Sequence, residues 1–256
     1  MPIIATYINQ DFNEYDSFDK IPDFNLVSKI ICNNNKLTSL PDNMNFPNLQ
    51  EFYCIDNKLT SLPDNMNCPN LQDLHCDSNQ LTALPDMNFP NLQEFNCFSN
   101  QLTALPDMNF PNLRYFNCFS NQLTALPDDM NFPNLIDFSC DSNQLTALPN
   151  NMNFPNLLEL YCSNNKLTSL PDNMNLPNLR RFNCSDNKLT SLPLCILNFK
   201  NLLVFTYNNN EIELSLQIAQ FIDRIKKKKN KKRVKERERK KRRKIKLLAQ
   251  TDANKA

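Results

Sequence analysis

Apolar positions recur along most of this chain at a fixed spacing. Leu49 to Asn70 reads LQEFYCIDNKLTSLPDNMNCPN, and related strings begin at Val27, Leu71, Leu92, Leu113, Leu135, Leu157, Leu179 and Leu202. The steps between these starts are 22, 22, 21, 21, 22, 22, 22 and 23 residues. Numbered from its first residue, the repeat is apolar at positions 1, 4, 6, 11 and 14, with Asn at 9 and Pro at 15 in all copies but the last. Positions 4 and 6 alternate with 5 and 7, the period of a short strand with one buried face. A constant step of this length predicts a stacked array in which each unit packs on its neighbours.

The inward column at position 4 is expected to be Ile30, Phe52, Leu74, Phe95, Phe116, Phe138, Leu160, Phe182 and Phe205. Position 6 is Cys in eight copies, from Cys32 to Cys184, and Tyr207 in the last. A small Cys beside a large Phe roughly conserves the volume of each layer, as dense packing requires. The remainder, LPDNMNFPN, has Pro near both ends, which removes donors and disfavours helix in the preceding residue. It predicts an extended or turn-rich convex side, with Met44, Phe46 and their counterparts dipping inward. The 21-residue copies lose their residue in this connector and keep the strand intact.

The ends differ from the array. Residues 1–25 lack the pattern and are expected to cap the first repeat, ahead of an array over 26–212. Leu214, Ile218, Phe221, Ile222 and Ile225 have the spacing of an amphipathic helical face, so 213–225 are expected to form a capping helix. Residues 226–256 form a basic tail, helical or disordered.

The consensus LxxLxCxxNxLxxLP resembles the leucine-rich repeat, LxxLxLxxNxL, over about residues 26–212. The resemblance implies a leucine-rich-repeat solenoid of nine 21–23-residue repeats, in the α/β repeat class but mostly β. It has a parallel concave sheet, a turn or extended convex side and a C-terminal helix. The resemblance also gives position 9 a structural role. Asn35, Asn57, Asn79, Asn100, Asn121, Asn143, Asn165, Asn187 and Asn210 would each bond backbone groups of their own and the adjoining turn, forming a ladder. The Asn-rich, Gly-free repeat is further similar to leucine-rich repeat proteins encoded by giant DNA viruses of amoebae. That likeness implies an intracellular protein in the host cytoplasm or nucleus, not a secreted one. Bacterial effectors with similar LPxxL-rich repeats carry a large C-terminal ligase domain. Residues 213–256 are mostly basic here, and no enzymatic activity is expected.

Composition sharpens this picture. The chain has no glycine, which excludes Gly-rich phosphate loops, the dinucleotide fingerprint and the nucleophile elbow. Asn is expected to take the left-handed turn positions instead. The start has no basic segment followed by a long apolar stretch, so no secretory signal is expected and the ten cysteines read as free thiols. No apolar run approaches the ~18 residues of a membrane span.

The cysteine column invites metal or redox chemistry, since adjacent strands lie ~4.8 Å apart. Its spacing is not CxxC and it contains no His, so it reads as a ladder of small buried hydrophobes. No catalytic residue, cofactor or metal ligand is assigned. His75, the single histidine, points away from Cys76 and cannot form a dyad with it. With Asp73 and Asp77 it reads as a surface His in a polar row, or more sharply as a pH-sensitive contact.

The net charge of +1 conceals an asymmetry. Between Lys226 and Lys246 sixteen Lys/Arg face two Glu, a local +14, while residues 1–225 carry −13. Positions 3, 5, 7 and 8 are expected on or beside the concave face. There Glu51, Asp73, Glu94, Asp137, Glu159, Asp56, Asp77, Asp141 and Asp186 outnumber Lys29 and Arg181. In the centre Phe98, Tyr115 and Phe119 interrupt the acidic pattern, with Tyr53 and Tyr161 further out. Exposed aromatics ringed by polar groups suit a protein or peptide partner that is basic with an apolar anchor. The alternative is that the rings stack on one another without a partner. The expected contacts are Phe98, Tyr115, Phe119, Tyr53, Tyr161, Asp77 and Asp141.

The tail concentrates its charge in Lys226, Lys227, Lys228, Lys229, Lys231, Lys232 and Arg233, then Lys240, Lys241, Arg242, Arg243 and Lys244. It admits four readings: a solvated block, a nuclear-targeting or nucleic-acid segment, a clamp on the acidic repeats, or a contact with an anionic membrane surface. The sequence thus predicts a non-enzymatic interaction module using its concave face. The alternatives are a nucleic-acid-binding or nucleus-targeted protein led by the tail, and a structural protein without a specific ligand.

Overall fold

A computed structural model describes residues 2–7, 12–128, 130, 132–228, 230 and 239. Nine short parallel strands lie side by side, one per repeat: β3 (Val27–Ile31), β5 (Glu51–Tyr53), β7 (Asp73–His75), β8 (Glu94–Asn96), β9 (Tyr115–Asn117), β10 (Asp137–Ser139), β11 (Glu159–Tyr161), β12 (Arg181–Asn183) and β13 (Val204–Thr206). β1 (Ile3–Tyr7) and β2 (Phe12–Tyr15) extend this sheet as an antiparallel hairpin beside β3. On the convex side β4 (Asn43–Asn45) and β6 (Asn65–Asn67) form a separate parallel pair.

Every neighbouring pair of repeats is in register, so position 3 meets position 3 from Lys29 through Glu51, Asp73, Glu94, Tyr115, Asp137, Glu159 and Arg181 to Val204. The convex pairing breaks where the connector loses a residue, between β6 and the Met87 segment, and returns as a parallel bridge between Asn153 and Asn175.

The core is one continuous spine. From Ile30 to Phe182 the position 4 side chains are buried. Phe95, Phe116 and Phe138 stack at 5.5 and 5.4 Å with their ring planes nearly parallel. Phe110, Phe132 and Phe154 dip in from the convex side and meet them edge-on at 6.0–6.3 Å. Edge-to-face and offset-stacked contacts are the favoured aromatic geometries. The position 6 thiols are buried beneath the sheet, and from Cys32 to Cys162 each donates to a carbonyl of the next strand at 3.4–3.6 Å.

Two Asn ladders close the turns. From Asn57 to Asn187 each position 9 Nδ2 donates to its own Cys carbonyl and to that of the preceding repeat, and Oδ1 accepts the preceding repeat's position 11 N–H. Asn210 keeps this arrangement with Tyr207 in place of its own Cys. Asn35 has no preceding repeat and donates instead to the Pro2 carbonyl at 3.4 Å. The second ladder was read from the sequence only as turn chemistry. Asn70, Asn91, Asn112, Asn134, Asn156 and Asn178, each following a Pro, and Asn201, which follows Lys200, donate to the equivalent Pro carbonyl one repeat back at 2.8–3.1 Å.

Position 8 is left-handed in every repeat, with φ between 51 and 57°. Asn takes this conformation only at Asn34, Asn164 and Asn209; Ser78, Ser99, Ser120 and Ser142 and then Asp56 and Asp186 take the rest. The expectation that Asn takes the left-handed turn positions thus holds at three repeats and is corrected at the other six. Any short polar side chain that bonds locally tolerates this region better than a bulky one.

At the C-terminal end, helix α1 over 216–228 adds Ile218, Phe221, Ile222 and Ile225 to the core. Leu214 does not share that face. It is exposed and precedes Ser215, whose Oγ accepts the Ile218 N–H at 3.4 Å at the helix start.

Candidate binding faces

The concave face is built by positions 3 and 5 of the strands, with position 7 where the chain leaves them. At its centre Phe98 and Phe119 stack at 4.7 Å and 10° between ring planes, both half-buried. They hold the same place in adjoining repeats, so the ladder spacing itself brings the rings into contact. Tyr115 is 41% exposed, with the Arg114 guanidinium 5.7 Å from its ring.

On one side of this centre lies a linked polar group. Lys29 pairs with Glu51 at 2.6 Å and sits over the Tyr53 ring, whose hydroxyl donates to Glu51 at 3.0 Å. Burial raises the Glu51 carboxyl, but these two donors outweigh it and hold the group below its usual range. The Tyr53 ring packs on His75 at 4.7 Å. His75 Nε2 is 3.5 Å from Glu94, and Asn96 donates to Glu94 at 2.8 Å. Burial, then Glu94 and Glu51, push the Asp73 carboxyl up.

On the other side Tyr161 donates to Glu159, which also pairs with Arg181 at 3.3 Å. Asp141 is half-buried and accepts from the Ser163 N–H and hydroxyl and from Ser139. Burial and the charge of Glu159 push Asp137 up to about 6.

Asp77 departs from the expected concave contacts. It is 4% exposed, and its Oδ1 is buried without a hydrogen-bond partner among the described residues. Position 7 lies between the strand and the left-handed Ser78, where the backbone turns. Its side chain ends 4.0 Å from His75 Nδ1, in the column that holds Phe98 one repeat later. Asp77 is thus part of the floor beside the aromatic pair.

The cysteine column is not a reactive site. All eight thiols are buried, and desolvation pushes them up, Cys32 and Cys184 to about 12 and the others further. A protonated thiol is a poor nucleophile and a poor metal ligand. Among the described residues no three His, Cys, Asp or Glu side chains are placed to hold a metal ion, and no helix is long and apolar enough to cross a membrane.

Of the tail residues, Lys226, Lys227 and Lys228 are exposed on α1; Lys227 pairs with Asp223 at 2.7 Å and Lys228 reaches the Lys200 carbonyl. Lys229, Lys231, Lys232, Arg233, Lys240, Lys241, Arg242, Arg243 and Lys244 lie outside the described residues.

In-register strands, Asn-closed turns and a curved sheet with one open face define a leucine-rich-repeat solenoid. The family model described as leucine rich repeats (2 copies) matches residues 47–90 and 90–129. The leucine-rich effector protein YopM of Yersinia pestis is 33% identical, with a TM-score of 0.64, over 73% of this chain and 51% of that one. InlP of Listeria monocytogenes is 31% identical, with a TM-score of 0.57, over 70% and 50%. This chain therefore spans about half the length of these two structures. A chain of the Drosophila Toll–Spatzle complex has a TM-score of 0.65 at 23% identity, over 77% and 28%, and shows the fold alone. Comparison with curated proteins finds no match.

Proposed function

We propose that this protein is a non-enzymatic interaction module whose concave face binds a basic protein or peptide through an apolar anchor. Leucine-rich-repeat folds commonly mediate protein–protein interaction. The observation that carries the reading is the half-open Phe98–Phe119 stack, with Tyr115 beside it and carboxylates on both flanks. Desolvated aromatics surrounded by polar groups are the usual energetic centre of an interface. Asp73 and Asp137 support the sign of the partner: burial and then neighbouring carboxylates raise both carboxyls, and a cationic partner would offset that repulsion. The face works inside a cell, where its free thiols stay reduced. The tie to amoeba-virus proteins rests on the wording of the repeat.

The test is affinity capture with the parent and with Phe98→Ala/Phe119→Ala. Partners retained by the parent should be lost from the double variant while its melting curve stays cooperative. Equal capture by both proteins would remove the concave stack from the account.

A second reading rests on the +14 run from Lys226 to Lys246. If the tail leads, deleting 226–256 abolishes binding to duplex nucleic acid. The intact chain then loses affinity with salt at a log–log slope of ~0.9 per phosphate neutralised. Binding that survives the deletion contradicts this reading.

A further inference from the structure

We propose that the groove along the rim of the sheet is a second binding site, which takes an extended peptide segment carrying one acidic residue beside aliphatic ones. The groove has a volume of about 660 Å³ and lies just before the strands. One wall is the position 2 column, Gln72, Gln93, Arg114, Ile136 and Leu158. The other is the Pro–Asn ladder from Asn91 to Asn178.

Three observations define the occupant. The ladder carboxamides are held in place, each Nδ2 being tied to a Pro carbonyl at 2.8–3.0 Å. Each Oδ1 accepts nothing among the described residues, so the wall offers a row of fixed acceptors with one spare N–H apiece. Carboxamides of this kind can accept from the N–H groups of an extended segment and donate to its C=O groups.

Arg114 is the single charge in the groove, exposed and in no ion pair among the described residues. One unpaired guanidinium in the groove can hold one carboxylate. It is too little for a nucleic-acid backbone, which needs a cation for each phosphate neutralised. The groove lining holds no carboxylate, so it offers the chain's own basic tail no partner for an ion pair. Beyond Arg114 the wall turns apolar at Ile136 and Leu158, both half-buried on successive rungs. Four rung steps at ~4.8 Å give a wall of about 19 Å, or roughly six extended residues at ~3.3 Å each. The inference does not use the Phe98–Phe119 stack, although Arg114 lies 5.7 Å from the ring of Tyr115.

The experiment is selection of random phage-displayed octapeptides on the full chain, followed by fluorescence anisotropy of a labelled peptide from the enriched pool. Enrichment of Asp or Glu beside Leu, Ile or Val is expected. The selected peptide should bind Arg114→Glu and Ile136→Ser at least tenfold more weakly. It should bind Phe98→Ala/Phe119→Ala as it does the parent, which separates this site from the concave one. Arg114 is exposed, so Arg114→Glu should keep the parent melting midpoint. No enrichment, enrichment without acidic residues, unchanged affinity for Arg114→Glu, or loss of affinity in the Phe double variant would each overturn the proposal.

Discussion

Replacing Asn121 probes the ladder at the middle of the stack. Its Oδ1 accepts the Leu102 N–H at 3.0 Å, and its Nδ2 donates to the Cys97 and Cys118 carbonyls at 3.0 and 3.1 Å. In Asn121→Ala the two carbonyls do not become orphans. Cys97 keeps the Asn100 donor at 3.1 Å, and Cys118 keeps Asn143 at 3.0 Å. The Leu102 N–H is different, because its only partner among the described residues is Asn121. The cost is therefore dominated by one buried unpaired donor, about 1–3 kcal/mol. For a domain of this size each kcal/mol moves the thermal midpoint by about 2–4 °C.

Asn121→Asp should be worse than Ala. It restores the acceptor but points a charged oxygen at two carbonyls in a site only 8% exposed. Asn35→Ala is the control. Among the described residues its amide makes one long bond, to Pro2, so the loss should be small. Melting and urea curves on the four proteins decide the matter. A parent-like Asn121→Ala, or an Asp variant more stable than the Ala variant, would refute the assignment of roles within the ladder.

Acid should stabilise the fold. The Asp137 carboxyl is raised from 3.8 to about 6, so its contribution is full below about 4 and is lost as pH rises through about 6. The midpoint should therefore climb from pH 7.5 to 5, and Asp137→Asn should raise it at pH 7.5 and flatten the climb; a midpoint that falls in both proteins contradicts this. At the left-handed Ser120 (φ 54°), Ser120→Val should lose about 1–2 kcal/mol in urea unfolding while Ser120→Gly stays at least as stable as the parent; a parent-like Val variant contradicts the strain. Thiol titration of the native protein should detect Cys195, the one half-buried cysteine, with all ten reacting after unfolding; several fast native thiols would show an open column.

The repeat made the architecture legible because the strand period and the repeat step act on the same residues. Phe98 and Phe119 could be paired from sequence, since equal positions in adjoining repeats must be neighbours. Asp77 could not be placed, because position 7 lies at the strand exit, where alternation no longer fixes which way a side chain faces. The Pro–Asn ladder was hidden for another reason. Asn after Pro explains itself locally as a turn, while its actual partner is a carbonyl one repeat back. Leu214 fits the apolar period of α1, but Ser215 starts the helix one residue later, and the period carries no mark of that boundary.

The central claim is that every repeat stacks in register, so that concave residues fall into columns, and a pair of cysteine substitutions tests it directly. The Ser99 N–H bonds the Phe119 carbonyl at 3.0 Å, so positions 98 and 119 are neighbours on the ladder. Phe98→Cys/Phe119→Cys should close a disulfide within one chain under mild oxidant, because a rung step of ~4.8 Å lies within the ~4.4–6.8 Å that disulfides span. Phe98→Cys/Asp141→Cys, two rungs apart at about 9.6 Å, should not. Closure of the second pair in preference to the first, or of neither, would contradict the in-register solenoid.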